Sequence, residues 1–191
     1  MNKRMACGIA AFWAALGVIS LGATASASDL ARQTYSTLVD SKGHVSLPKD
    51  YRQSWTHLGS WLVPAADAPG HGFHDVYTQP EAVAQFRRTG KFPDGAVLIK
   101  EIRAVESGKL TTGAGHWAGK VNVWFVMVKD AEGRFAGNPH WGKGWGWTLH
   151  EAKAPEVNAS KGFKETCLGC HMPVKDSDWV FLDGYRTLDV E

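Results

Sequence analysis

The sequence predicts an α+β fold, a mainly antiparallel β-sheet with a few short helices in a single domain. Three observations predict it. Short runs rich in β-branched and aromatic residues recur between glycines and prolines, at residues 58–63, 73–78, 96–105 and 121–128. Only a few short stretches read as helix, so four long amphipathic helices, as in a helical bundle, are absent from the pattern. No internal repeat, low-complexity tract or long linker divides the chain.

Taken in order, residues 29–39 read as a short N-terminal helix, and Pro48 opens a turn into residues 50–55. Residues 58–63 form a strand, Gly70-His71-Gly72 a loop, and residues 73–78 a second strand. Gln79-Pro80-Glu81 starts a helix, with proline in its first turn and an acid beside it, that runs to Gly90. Residues 96–105 and 121–128 are the strongest strands. The second reads Val-Asn-Val-Trp-Phe-Val-Met-Val, apolar on both faces, so it should be covered on both sides. Asp130-Ala131-Glu132-Gly133 is a turn, residues 138–147 are rich in glycine and tryptophan, and residues 161–171 read as a helix.

The N-terminus carries Lys3 and Arg4, then an apolar run from Met5 to Leu21, then Ala23-Thr24-Ala25-Ser26-Ala27. This is the pattern of a cleaved secretory signal over residues 1–27, with cleavage after Ala25 or Ala27 and a domain over residues 28–191. A periplasmic location follows, with no membrane segment in the mature form. The leader holds two bases and no acid, so the 21 basic and 19 acidic residues of the whole chain become an even balance in the remainder. No block of like charge points to nucleic acid. Of the 3 cysteines, Cys7 lies in the leader, which leaves Cys167 and Cys170 and excludes a disulfide framework.

Those two belong to Cys167-Leu168-Gly169-Cys170-His171, the C-x-x-C-H pattern of c-type haem attachment. Two thiols three positions apart reach both vinyl groups of one haem, and the adjacent imidazole binds its iron. A thioredoxin-type pair belongs early in a βαβ unit, and a zinc site wants a second ligand pair; this context offers neither. The expected cofactor is therefore one covalent haem c, with His171 as the metal ligand.

The sixth iron position decides between electron transfer and ligand chemistry. Met172 adjoins His171 and cannot reach the opposite side of the same haem. Met127 lies mid-strand and reads as core, although simple electron transfer would require a ligand such as Met127. The favoured expectation is an open or water-bound iron. Lys100 is the other residue of note, because period-two alternation sets it on one strand face with Ala96, Leu98, Ile102 and Ala104. Either its stem runs along apolar surface to the sheet edge or to an acid, which periodicity favours, or its amine is desolvated beside the cofactor as nucleophile or base.

Tyr77-x-x-Pro80-Glu81, Thr89-Gly90-Lys91-Phe92-Pro93-Asp94-Gly95 leading to Lys100-Glu101, the haem motif, and Asp178-Trp179-Val180-Phe181 occur in one order across most of the chain. In these stretches the chain resembles the cytochrome P-460 family, which includes the related cytochrome c′-beta. The resemblance implies a β-rich homodimer with five-coordinate haem. It further implies that Lys100 occupies the position of the lysine cross-linked to a haem meso carbon in hydroxylamine-oxidising members. Two positions depart from those members: His74 stands where one has arginine, and Lys175 where a carboxylate proton acceptor is proposed. His74 could accept protons itself, having an ordinary pKa near neutrality. Gas-binding relatives cap the iron with aromatics, for which Phe73, Phe86, Phe92, Trp124 and Phe125 are candidates. The expected function is redox chemistry of small nitrogen species, hydroxylamine or nitric oxide, with a soluble redox partner. The alternatives are a non-enzymatic binder of nitric oxide or carbon monoxide, and an electron carrier.

Overall fold

The structure is a computed structural model that describes residues 26–189. Helix α1 (Ala27–Leu38) starts on a capping box, in which the Ser26 hydroxyl accepts from the Asp29 amide and the Asp29 carboxylate accepts from the Ser26 amide. Most of the leader expected over residues 1–27 lies outside the described residues. Then follow α2 (Tyr51–Ser54), β1 (Thr56–Val63), β2 (Gly72–Thr78) and α3 (Pro80–Thr89). Proline in its first turn and Gly90 at its C-cap, φ +69°, bound α3 as the sequence predicts. Strands β3 (Val97–Leu110), β4 (Gly113–Lys129), β5 (Trp141–Gly142) and β6 (Trp145–Glu151) complete one six-stranded antiparallel sheet in the order β1-β2-β3-β4-β6-β5.

Both faces of this sheet are covered, as the doubly apolar pattern of residues 121–128 requires. One face carries Val97, Ile99, Val126 and Val128, which pack with Val39, Val45 and Tyr51 from the N-terminal segment. The other carries Val76, Leu98, Met127, Trp145 and Trp147, which pack with Phe163, Cys167, Val180, Tyr185 and Leu188 from the C-terminal segment. That segment consists of a π-helical turn (Phe163–Cys167), α4 (Leu168–His171) and short 3₁₀ turns at Met172–Ser177, Leu182–Gly184 and Arg186–Leu188. It approaches β1 closely: a Cβ on Gly59 would lie 1.9 Å from the Gly184 carbonyl oxygen.

Three elements differ from the sequence expectation. Strands β3 and β4 extend beyond residues 105 and 121 as a two-stranded ribbon, after register slips around Arg103. The slips put the extra residues on β4, two steps of β3 being matched by three of β4 between Arg103 and Val105. Residues 145–151 form a full strand where only a glycine- and tryptophan-rich stretch is legible. Gly146 belongs there because its missing side chain makes room for Trp141, whose ring would lie 2.8 Å from a Cβ at that position. Finally, the helix expected over residues 161–171 is a π-helical turn followed by one α-helical turn, with the chain entering from Gly162 at φ +113°.

Candidate haem site

Directly paired residues of an antiparallel sheet share a face, so the register lays out the floor of the site. One row across the sheet is Trp61, His74, Ile102, Val123 and Glu151; the next contains Val76, Lys100, Phe125 and Leu149; a third contains Leu98, Met127 and Trp147. The C-terminal segment, with the Cys167-to-His171 motif, packs on this same face.

Lys100 stands on an interior strand, so its stem does not reach a sheet edge. Among the described residues it forms no ion pair. Its Nζ lies 4.6 Å from the centroid of the Phe125 ring. Burial pushes its pKa below the ordinary lysine value, against the opposing influence of the Cys170 and Cys167 sulfurs nearby. Lys100 therefore stands on the sheet face that the C-terminal segment and its Cys167 pack against.

His74 is buried at 5% exposure and lies against Trp61, with ring centroids 4.9 Å apart. Its Nε2 is 2.7 Å from the Gly70 carbonyl oxygen. A carbonyl only accepts, so Nε2 carries the proton and Nδ1 of the neutral ring bears a free lone pair. That Nδ1 is buried without a hydrogen-bond partner. Burial lowers the imidazole's pKa, partly offset by the Gly70 bond, and Lys100 lowers it further.

In the motif, Cys167 is buried and Cys170 exposed, and they are not joined in a disulfide. Burial pushes the Cys167 thiol up to about 11. His171 Nδ1 is 2.7 Å from the Trp179 carbonyl oxygen, which fixes Nδ1 as the donor and leaves Nε2 as the lone-pair nitrogen. The ring is held edge-on by Trp147 at 4.7 Å and Phe181 at 5.3 Å between centroids. Burial lowers its pKa, which keeps the imidazole neutral and able to ligate.

The aromatic candidates separate. Phe125 shares the face of Lys100, whereas Phe73 and Trp124 point to the opposite face, the latter donating to the Tyr51 hydroxyl at 2.8 Å. Phe86 and Phe92 stack on each other at 4.7 Å beside Trp145. Met127 is buried in the core, and Lys175 is exposed on a 3₁₀ turn. A recess of about 570 Å³ opens beside Phe125, lined also by Ile102, Val123, Leu149 and Glu151. A larger hollow, about 1160 Å³, lies between residues 43–49 and 138–140 and touches none of Lys100, His74, Cys167, Cys170 or His171.

Sequence reasoning missed the Trp179 carbonyl, Trp147 and Phe181. A backbone acceptor eight residues beyond its donor leaves no mark in residue type, and Trp147 reaches His171 only through sheet register.

Two thiols three positions apart, one neutral imidazole with a fixed tautomer and an apolar floor fit a tethered haem, which brings its own four nitrogen donors and asks the protein for an axial ligand. The site is that of a haem protein. The family model described as Cytochrome P460 matches residues 48–182, and the chain belongs to that family of haem cytochromes. No curated protein matches the chain.

Proposed function

We propose that the chain is an exported, periplasmic cytochrome with one haem c, which oxidises small nitrogen species such as hydroxylamine and passes the electrons to a soluble redox partner. The observation that carries this reading is that Lys100 and the Cys167-to-His171 motif share one sheet face with a buried and unpartnered imidazole nitrogen of His74. Export rests on the leader-like residues 1–27, and a homodimer is the expected assembly.

Bound there, haem would supply an iron that exchanges single electrons and takes a small ligand. The protein does the rest. Cys167 and Cys170 would tether the group by thioether bonds, and His171 Nε2 would ligate the iron while the Trp179 carbonyl holds Nδ1. Phe125, Ile102, Val123 and Leu149 line the neighbouring recess on its apolar side. Lys100, its pKa lowered by burial, would present a larger fraction of neutral amine toward the haem. His74 Nδ1 takes a proton, because hydroxylamine oxidation releases protons as well as electrons. The Gly70 carbonyl holds the opposite nitrogen protonated throughout.

The apolar residues Phe125, Ile102, Val123 and Leu149 on this floor favour a second reading, a non-enzymatic binder of nitric oxide or carbon monoxide at the same iron. The absorption spectrum of the reduced protein, followed by assay with hydroxylamine and an electron-accepting dye, distinguishes the two. A strongly red-shifted Soret band with dye reduction is the expected result. An ordinary five-coordinate spectrum without turnover would point to gas binding, and a six-coordinate low-spin spectrum would overturn both.

A further inference from the structure

The carbonyl that receives the His171 proton belongs to a residue in a costly conformation. Asp178 and Trp179 are consecutive non-glycine residues in the left-handed region, at φ +56° and +67°. Aspartate is tolerated there, but a residue as bulky as tryptophan is an outlier. Such a pair persists only where its surroundings hold it in place, and such strain clusters at functional positions.

What holds it is visible. Lys129, the last residue of β4, donates to both carboxylate oxygens of Asp178, at 2.7 and 2.6 Å. The same ammonium lies 4.7 Å from the centroid of Trp145, whose side chain is fully buried and whose indole N–H donates to the Asp178 carbonyl at 2.9 Å. Asp178 is therefore gripped at its side chain and at its backbone by neighbouring residues of the sheet floor. The next residue turns its carbonyl to His171 Nδ1 at 2.7 Å. The Lys129 side chain is 13% exposed and that of Asp178 38%, so the ammonium is enclosed while the carboxylate still meets solvent.

We propose that the Lys129–Asp178 ion pair is a positioning device for the axial ligand. It holds the left-handed turn that aims the Trp179 carbonyl at His171 Nδ1. An imidazole whose distal N–H is held by a good acceptor is a stronger donor through its other nitrogen, which favours ferric iron and strengthens the iron–histidine bond. Lys129 and Asp178 are positioning residues and touch neither haem nor substrate. The proposal rests on the reading of His171 as axial ligand.

The test uses the intact haem-loaded protein and the variants Asp178→Asn, Lys129→Met and Lys129→Arg. Covalent haem is first verified by intact mass. The iron–histidine stretching frequency is then read by resonance Raman on the ferrous protein, and the midpoint potential by redox titration. Asp178→Asn and Lys129→Met should lower the stretching frequency and reduce the ferric-to-ferrous ratio at fixed potential by roughly tenfold, equivalent to a rise of about 59 mV for one electron. Lys129→Arg should restore both values toward those of the unaltered protein. Should Asp178→Asn fail to fold, Lys129→Met carries the test, since its unbranched side chain still covers Trp145. Fully loaded variants with unchanged frequency and potential would overturn the proposal. Absence of covalent haem from the unaltered protein would instead overturn the haem reading, and this proposal with it.

Discussion

Replacing His74 with phenylalanine separates a histidine kept for chemistry from one kept for packing. His74 is 5% exposed and stacks on Trp61, so a phenylalanine ring of similar size can take the same place. The substitution removes the bond to the Gly70 carbonyl, a loss of about 0.5–1.5 kcal/mol. It also removes the unpartnered Nδ1, whose burial costs about 1–3 kcal/mol. These terms oppose each other, so above neutral pH the net should lie between a loss of about 0.5 and a gain of about 2.5 kcal/mol, at about 2–4 °C in melting temperature for each kcal/mol. Activity should behave differently: loss of a positioned proton acceptor lowers turnover by about 10²–10⁴-fold. Thermal unfolding by circular dichroism and hydroxylamine-dependent dye reduction measure the two quantities on one preparation. A loss of more than about 3 kcal/mol would make His74 a structural residue. Unchanged turnover in a stable variant would remove it from the chemistry.

The pH dependence of stability should follow from the same burial. Burial holds His74 and His150 below the ordinary histidine value in the fold, so between that lowered value and about 6.5 the unfolded chain binds protons that the fold refuses. Their contribution is fully present above about pH 6.5 and falls as pH drops, by up to about 1.4 kcal/mol per pH unit for each; denaturant titrations from pH 8 to 5 should show one proton less in His74→Phe. On the opposite face, Glu101 is fully buried and accepts from the Tyr51 hydroxyl, from Arg52 at 2.7 Å and from Arg103 at 3.2 Å. Glu101→Gln should cost about 2–3 kcal/mol in chemical denaturation, below the usual figure for a broken buried pair because Arg52 is 44% exposed and can turn to water. Gly59→Ala must displace the Gly184 carbonyl and should cost about 1–3 kcal/mol by the same measurement, while Gly90→Ala, with nothing near its Cβ, tests conformational strain alone.

Strands at residues 58–63, 73–78 and 121–128 were legible because their β-branched and aromatic runs meet the period of a sheet. Strand β6 was not, because glycine between tryptophans reads as loop until Trp141 is seen lying over Gly146. In the site, Cys167, Cys170 and His171 are adjacent in sequence, so local spacing alone marked them. Alternation correctly set Lys100 among Leu98 and Ile102, but not which side of the sheet the motif would cover; pairing with Phe125 and packing of the C-terminal segment decide that. The five aromatic candidates were equivalent in sequence; register separates Phe73 and Trp124 from Phe125, which stays on the floor of the site, while Phe86 and Phe92 pack on each other beside Trp145. His74 stood out by its position in the resembling stretch, whereas its fixed tautomer depends on Gly70, a loop carbonyl four residues away.

The most direct test of the account is the intact mass of the protein produced in a host that matures c-type cytochromes. The chain should carry the mass of one haem, resistant to extraction by acidified solvent and absent from the Cys167→Ser, Cys170→Ser double variant. A chain recovered at its bare polypeptide mass under those conditions would contradict the assignment of Cys167, Cys170 and His171, and with it the proposed chemistry.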